Sequence, residues 1–167
     1  DQGVDVSSIG KLHFRSSDDD NGFVEEILPM HVVGGVGWTI GLLREDAPKF
    51  NSSFELSADV GHGKSTYTDY DLEITDTTIQ WLKKRQRKDK TWTGFISLVS
   101  PHYPLTAPKK HYNMYDTSLI DLPIGYNDLF HPEHSELKNI ANFFDYDKYF
   151  DEEKMRKAKA AYYGLIT

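Results

Sequence analysis

The amino-acid sequence predicts an α/β fold with a mostly parallel central sheet. The first observation is an amphipathic helical pattern over residues 68–88, "TDYDLEITDTTIQWLKKRQRK". The second is the apolar run "WTGFISLVS" at residues 92–100, whose aromatic and β-branched residues are typical of a strand buried on both faces. A helix followed by such a strand is the second half of a β-α-β unit, and units of this kind build parallel sheets. The length of 167 residues suits one domain.

A short strand that runs into a loop is predicted at residues 4–14, "VDVSSIGKLHF". If its end is extended, Lys11 and His13 point to the same side, because side chains alternate along a strand. The apolar residues around them do not form a clean opposite face, so this is not an ordinary half-buried strand. Two neighbouring cationic donors at the end of a strand indicate a site for an anion.

Residues 15–67 carry turn signals and little regular periodicity. Asn21-Gly22, in the acidic segment "RSSDDDNGF", marks a turn. The three glycines in "VVGGVGW" do not follow the G-x-G-x-x-G pattern, and no strand–helix pattern surrounds them, which excludes a dinucleotide-binding loop. Residues 44–67 are polar and irregular and predict a long loop.

The predicted helix at residues 68–88 is acidic at its start and basic at its end, a polarity that complements the helix dipole. We therefore interpret its basic run as a solvated helix end rather than a nucleic-acid patch. Two sets of residues follow the helical spacing: Leu72, Thr75, Ile79 and Leu82, with Ile74, Thr78 and Trp81 beside them.

Ser100-Pro101-His102 follows the strand predicted at residues 92–100. Ligands of parallel sheets bind at the carboxyl ends of the strands, which makes His102 a candidate functional residue. Residues 101–116 hold three of the seven prolines, so we expect a stiff, extended segment that cannot join a central sheet. Residues 117–150 predict an irregular, aromatic-rich excursion.

The last element, "DEEKMRKAKAAYYGLIT" at residues 151–167, is predicted to be a helix with an acidic first turn. One face carries Met155, Ala158, Tyr162 and Leu165 or Ile166. The pattern reaches the last residue without a cap or stop signal, so we expect a longer protein to continue beyond it.

The composition excludes several classes of function. A net charge of −7, from 19 Lys and Arg against 26 Asp and Glu, argues against a general nucleic-acid binder but not against a local cationic pocket. The absence of cysteine excludes disulfides and thiolate metal sites. No apolar run approaches the ~18 residues of a membrane helix, so no membrane is expected as a partner. The first residue is Asp rather than Met, which leaves the location, cytoplasmic or periplasmic, open.

Other polar clusters carry weaker signals. His131 and His134 flank Glu133 in "HPEH", but the spacing is not H-E-x-x-H, so a metal site is disfavoured. The run Asp18–Asp20 lacks the alternating spacing of a calcium loop and is interpreted as a solvated turn. The remaining histidines considered, interpreted as structural or surface residues, are His31, His62 and His111.

Two segments, in order, resemble the paired signatures of the sulfatase family in the alkaline-phosphatase superfamily. "GKLHF" at residues 10–14 is similar to the G-K-aromatic-H motif that follows a strand, although Leu12 stands where the family often has tryptophan. "SLVSPHYPLTAP" at residues 97–108 is similar to the P-H-x-P motif that follows a later strand. Three flanking segments extend the resemblance, towards bacterial arylsulfatases and choline-sulfatase-like enzymes, over nearly the whole chain: "FRSSDDDNGFVEEILPMHVVGGVG", "YTDYDLEITDTTIQWLKKR" and "AKAAYYGLIT".

The resemblance implies part of an alkaline-phosphatase-like three-layer α/β/α domain, with residues 1–167 as the middle portion of one catalytic domain. It implies a sulfuric ester hydrolase that cleaves a sulfate monoester to an alcohol and sulfate. Lys11, His13 and His102 match the family's catalytic positions, with Lys11 and His102 also binding the substrate. Cationic donors around the sulfonate oxygens and a proton donor for the departing oxygen suit this chemistry.

The chain lacks the family's nucleophile motif, C/S-x-P-S-R, in which cysteine or serine becomes formylglycine. It also lacks the acidic pair of the first strand and the later DHG-like motif, which hold the metal. The resemblance therefore places the formylglycine and the divalent cation, with calcium as the expected ion, on residues outside this chain. No metal ligand is expected within it, and alone it should be inactive.

Two alternatives stay open. A phosphonate monoester hydrolase or phosphodiesterase of the same superfamily would use the same lysine and histidine positions, because sulfate and phosphate are both tetrahedral oxyanions. A non-catalytic remnant that binds anions or glycans is the other. The expected partner is a small-molecule or carbohydrate sulfate ester, with no nucleic acid.

Overall fold

A computed structural model describes residues 3–37, 53–85, 90–126, 134–145 and 148–167. Over these residues the chain is mixed α/β with a small parallel sheet, which confirms the predicted class. It divides into two compact units, Asp1–Trp38 with Thr66–Ser100 and Thr39–Ser65 with Pro101–Thr167, and each is described by itself. No helix in the described ranges is long and apolar enough to cross a bilayer.

In chain order the strands and α-helices are β1 (Asp5–Lys11), β2 (Glu25–Met30), α1 (Ser53–Ala58), β3 (Gly61–His62), α2 (Thr66–Arg85), β4 (Trp92–Ser97), β5 (Thr106–Ala107), α3 (Lys109–Tyr112), α4 (Ser135–Phe144) and α5 (Glu152–Ile166). Short 3-10 helices lie at Val33–Gly35 and Thr117–Leu119.

The first unit is built on a three-stranded sheet with the order β2-β1-β4, in which both pairings are parallel. Ile9 of β1 lies opposite Ile27 of β2 and Ile96 of β4. Strand β2 is absent from the sequence prediction, because Pro29 and two glutamates interrupt the apolar run of "EEILPM". Proline is tolerated there because β2 lies at an edge of the sheet.

Helix α2 confirms the predicted helix, and its core residues are Ile74 and Trp81, which pack with Ile9. Both belong to the second of the two sets of residues that follow the helical spacing in the sequence. Two glycines of the sheet explain why these side chains, and not those of the first set, are buried. A Cβ on Gly94 would lie 3.1 Å from the Trp81 ring, and one on Gly10 would lie 2.8 Å from Ile74 Cδ1. The sheet therefore has room for these two side chains. The alternative set stays largely exposed, at 65% for Leu72, 45% for Ile79 and 38% for Leu82.

Strand β4 confirms the predicted strand, but the expectation of burial on both faces is wrong. Phe95 and Ile96 are 49% and 42% exposed. Among the described strands β4 pairs only with β1 and so lies at an edge of the sheet, and Phe95 projects from the face opposite α2, which this helix does not cover.

The second unit is organised around α5, which packs against the two-stranded parallel sheet of β3 and β5 and against α3. Asp151 caps α5 by accepting a 2.8 Å hydrogen bond from the Lys154 backbone. A Cβ on Gly164 would lie 3.0 Å from the Ala107 Cβ, so the helix approaches β5 closely. Small residues accordingly form the buried face of α5: Ala158, Ala160, Ala161 and Gly164. Of the predicted face, Ala158 is buried, whereas Tyr162 and Ile166 are exposed.

Three of the loop predictions need correction. Residues 53–67 hold α1, β3 and the start of α2, while residues 44–52 lie outside the described ranges. The segment 101–116 is not extended throughout, because α3 begins directly after Pro108. The excursion 117–150 contains the ten-residue helix α4. Its apolar residues Leu137, Ile140 and Phe144 recur at helical spacing, so the sequence does carry the pattern of this helix and the prediction of an irregular segment missed it.

Candidate functional site

The carboxyl end of β1 approaches β4 at Gly10, which has a φ of +102°. A Cβ at this position would lie only 2.2 Å from the Ser97 carbonyl oxygen. No side chain larger than hydrogen fits, and the positive φ also favours glycine. Gly10 therefore sets how closely the ends of β1 and β4 meet.

A β-bulge in β2 directs the chain beside Lys11. Ile9 pairs with Ile27 but Lys11 pairs with Met30, so β2 has one more residue than β1 between these two pairs. Leu28 has a φ of +53° in this bulge, and its carbonyl accepts a hydrogen bond from the Tyr70 hydroxyl of α2. Burial raises the pKa of Tyr70, which keeps the hydroxyl protonated as a donor. This hydrogen bond connects α2 to the bulge that lies beside the end of β1.

Lys11 and His13 line one cavity at the carboxyl ends of β1 and β4. Its volume is about 560 Å³, within the usual range for small-ligand sites. Lys11 is half-buried and His13 exposed, and neither side chain has a hydrogen-bond or ion-pair partner among the described residues. The remaining lining residues are Leu12, Phe14, Phe23, Phe95, Ser97 and Leu98.

Three phenylalanines form one wall of this cavity. The ring of Phe23 lies 6.3 Å from that of Phe14 and 6.2 Å from that of Phe95, with the second pair stacked. Phe95 alternates along β4 with Gly94, which faces Trp81 of α2, so the wall lies on the other face of the sheet.

The acidic turn between β1 and β2 is held by its own hydrogen bonds. Arg15 pairs with Asp19, and this hydrogen bond lowers the pKa of the Asp19 carboxyl. Asp20 accepts a 3.0 Å hydrogen bond from the Gly22 backbone. These contacts agree with the interpretation of the run as a turn, and the turn leads the chain to Phe23.

Asp71 of α2 fixes the chain where β4 ends. Its two carboxylate oxygens accept backbone hydrogen bonds from Val99, at 2.6 Å, and from Ser100, at 2.9 Å. The helix therefore anchors the segment that leads towards His102.

His102 itself belongs to the second unit and is exposed. Its Nδ1 lies 3.1 Å from the Tyr103 carbonyl oxygen, and the two rings meet edge to face. The structure therefore brings Lys11 and His13 together, while a shared site with His102 stays a prediction.

Three of the other histidines, His31, His62 and His134, make contacts within the protein. His31 lies 2.7 Å from the Ser17 hydroxyl and 3.4 Å from a Glu26 oxygen. The His62 ring lies 5.7 Å from the Tyr112 ring, and His134 caps α4 by accepting from the Glu136 backbone.

The "HPEH" segment, in which a metal site was disfavoured, lies outside the described residues at His131 and Glu133. Over the part of the chain that is described, no group of three or more His, Asp or Glu side chains is placed to hold a metal ion.

At the basic end of α2, Arg85 makes contacts within the protein. One oxygen of Glu25 accepts hydrogen bonds from Ser7, Trp81 and Arg85, and the Arg85 guanidinium lies 5.0 Å from the Trp81 ring centre. The pKa of Glu25 is lowered, first by the hydrogen bond from Trp81 and then by those from Arg85 and Ser7, against a partial desolvation that raises it.

Sequence reasoning found the two cations but missed the wall and the supports around them. Phe23, Phe95 and Asp71 come from three different elements, and no local spacing connects them. The glycine of "GKLHF" was visible in the sequence, but its steric role depends on the position of Ser97.

No protein-family model matches this chain, and no curated protein shows significant similarity to it.

Proposed function

We propose that this chain is the middle portion of the catalytic domain of a formylglycine-type sulfuric ester hydrolase with an alkaline-phosphatase-like fold. The observation that carries the proposal is the pairing of Lys11 and His13 on one cavity at the carboxyl ends of two parallel strands. The resemblance of "GKLHF" and "SLVSPHYPLTAP" to the family motifs supports the same assignment.

The cavity suits an oxyanion. Lys11 extends from a backbone that is fixed on both sides, since Gly10 contacts β4 and Leu12 donates a 3.1 Å hydrogen bond to the Met30 carbonyl. A lysine in a half-buried position without an internal partner can give its charge to a ligand at little cost in rearrangement. Its ammonium would neutralise the sulfonate oxygens as negative charge shifts between them.

The two histidines would move protons. His13, two residues beyond Lys11 and open to solvent, would hold a hydroxyl beside the sulfur or take its proton. His102 would donate to the sulfate or protonate the departing alkoxide oxygen. His13 would therefore act on the attacking hydroxyl and His102 on the departing oxygen, which lie on opposite sides of the sulfur.

Formylglycine supplies the attacking hydroxyl in this family, and the divalent cation supplies charge neutralisation. The described residues contain no ligand cluster that fits such a cation. The proposal assigns both groups to segments outside this chain, because the sequence lacks the family's nucleophile and metal motifs, and no step of the proposal passes through them here.

The test uses the complete gene product and an aryl sulfate such as 4-nitrophenyl sulfate. Lys11→Met should lower kcat/KM by about 10²- to 10³-fold, because it removes a charge aimed at the reacting group. Lys84→Met is the matched control, since Lys84 is an exposed lysine on α2 in the same unit, outside this cavity, and it should leave kcat/KM unchanged.

Substrate comparison separates the alternatives. A higher kcat/KM on phosphonate monoesters or phosphodiesters than on sulfate esters would favour the related hydrolase. Absence of turnover on every ester, with anion binding retained, would favour the non-catalytic remnant. Reading the gene in frame through both ends provides an independent check, because the proposal requires C/S-x-P-S-R upstream and a DHG-like motif downstream.

A further inference from the structure

Asp71 makes a contact that distinguishes it from its acidic neighbours near the start of α2. Asp69 and Glu73 are exposed, whereas Asp71 is half-buried. Both oxygens of the Asp71 carboxylate accept hydrogen bonds from the chain that follows β4. The donors are two consecutive backbone amides, those of Val99 at 2.6 Å and Ser100 at 2.9 Å. The carboxylate therefore connects α2 to the loop after β4, and the contact lies within the first unit.

The contact begins where the hydrogen bonds of the sheet end. Strand β4 ends at Ser97, and Val99, two residues later, is only 4% exposed. A backbone amide in such a position needs an acceptor within the protein, because an unpaired buried N–H group costs free energy. A carboxylate is a strong acceptor, and two amides bound by one carboxylate fix the direction of the chain as well as its distance. Asp71 therefore holds the start of the loop in one orientation.

His102 follows this fixed point closely in the chain. One residue, Pro101, separates it from Ser100. The proline ring holds its own φ at about −65°, and it also restricts Ser100 to extended conformations. Few torsion angles are left free between the amide that Asp71 binds and the backbone of His102. A change in the position of Ser100 is therefore transmitted to the His102 side chain.

We infer that Asp71 is a positioning residue for the proposed reaction, because it fixes the chain from which His102 extends. The inference rests on the proposed function for the contact of His102 with the sulfate ester. Asp71 does not contact the substrate in this scheme and acts through His102. A misplacement of about 1 Å at a reacting group can lower a rate by about 10²-fold, so a remote carboxylate of this kind has a measurable effect.

The experiment is a double-mutant cycle on the complete gene product, with 4-nitrophenyl sulfate as the substrate. Asp71→Ala should lower kcat/KM by about 10- to 100-fold when His102 is present. In the His102→Ala background the same change should lower kcat/KM by less than about twofold, because no imidazole remains to be misplaced. A merely structural role would lower kcat/KM by the same factor in both backgrounds.

A second measurement follows the contact itself and does not depend on turnover. Hydrogen exchange of the amides of Val99 and Ser100, measured by mass spectrometry on the complete gene product, should be at least about tenfold faster in Asp71→Ala than in the wild type. Asp71→Asn keeps one oxygen as an acceptor, so it should give intermediate exchange and intermediate kcat/KM, and it guards against misfolding. Asp76→Asn is the matched control at an exposed position of α2 and should change neither quantity.

Each contrary result has a distinct meaning. An equal loss of kcat/KM from Asp71→Ala in both backgrounds would make Asp71 a structural residue, and it would overturn the inference while the proposed function stands. Unchanged exchange or unchanged kcat/KM in Asp71→Ala would do the same. If the wild type turned over no ester while Asp71→Ala still exchanged faster, the proposed function would fail and the inference with it, although the contact between Asp71 and the loop would be real.

Discussion

The two ends of the sheet in the first unit hold positive charge in different ways. At the amino ends of the strands, Arg85 donates to Glu25 and lies over the Trp81 ring, and its side chain is only 11% exposed. At the carboxyl ends, Lys11 has no partner among the described residues and faces a cavity. A cation with an internal partner stabilises the fold, whereas one without a partner is available to an external anion.

The largest expected effect concerns the glycine that shapes the carboxyl end. Gly10→Ala places a Cβ against the Ser97 carbonyl at a positive φ, so we expect a loss of about 3 kcal/mol or more in the free energy of unfolding, measured by urea denaturation. Gly22→Ala is the control, because Gly22 also has a positive φ but has no atom within 4 Å of the added Cβ. It should cost about 1 kcal/mol. Equal losses would contradict the close approach of the strands.

Glu25→Gln tests how much the Arg85–Glu25 pair, at the amino ends of the strands, contributes to stability. It leaves the Arg85 guanidinium without a charged partner, and Glu25 is 40% exposed, so water replaces part of the interaction. We expect a loss of about 1–2 kcal/mol in urea denaturation. Asp76→Asn, at an exposed position of α2 in the same unit, should have no measurable effect. If the two variants were equally stable, the contrast between the two ends would disappear.

The same carboxylate predicts a pH dependence. The folded state lowers the pKa of Glu25 below its ordinary value of 4.5, so the folded protein binds fewer protons here than the unfolded chain. This contribution to stability is complete above about pH 4.5 and is lost as the pH falls through the folded pKa. The stability difference between the wild type and Glu25→Gln should therefore shrink in urea melts from about pH 6 down to about pH 3. A constant difference would show that the charge of Glu25 contributes nothing.

Lys11→Met should have the smallest effect on stability and a large effect on binding. Because Lys11 has no internal partner, the free energy of unfolding should change by less than about 0.5 kcal/mol, while calorimetry should show weaker binding of methanesulfonate. A marked loss of stability would mean that Lys11 has a structural role like that of Arg85, and the comparison would fail.

Much of the secondary structure was predictable because local patterns specify it. The helix at Thr66–Arg85 shows its period and its charge polarity in the sequence, and Trp92–Ser97 shows the composition of a strand. Strand Glu25–Met30 was not predicted, because a proline-containing edge strand depends on packing that is distant along the chain. Helix Ser135–Phe144 was missed for another reason: Leu137, Ile140 and Phe144 recur at helical spacing, but the prediction treated residues 117–150 as one irregular segment.

For the candidate site, the sequence indicated Lys11 and His13 through their spacing at a strand end. The contact of Phe23 with Phe95 and the hydrogen bonds that Asp71 accepts could not be predicted, because the partners lie more than twenty residues apart in the chain. The donors to Asp71 are the backbones of Val99 and Ser100. The sequence also did not determine which residues of α2 are buried.

The sequence by itself determined the α/β class, the long helix, the absence of thiol chemistry and the position of two cations at the end of a strand. These depend on composition and on periods of two and 3.6 residues, which are local properties. Only the tertiary structure decided that Arg85 is paired and Lys11 is not, that Gly10 admits no side chain, and that three phenylalanines share one wall. These depend on distances between segments far apart in the chain, which packing sets.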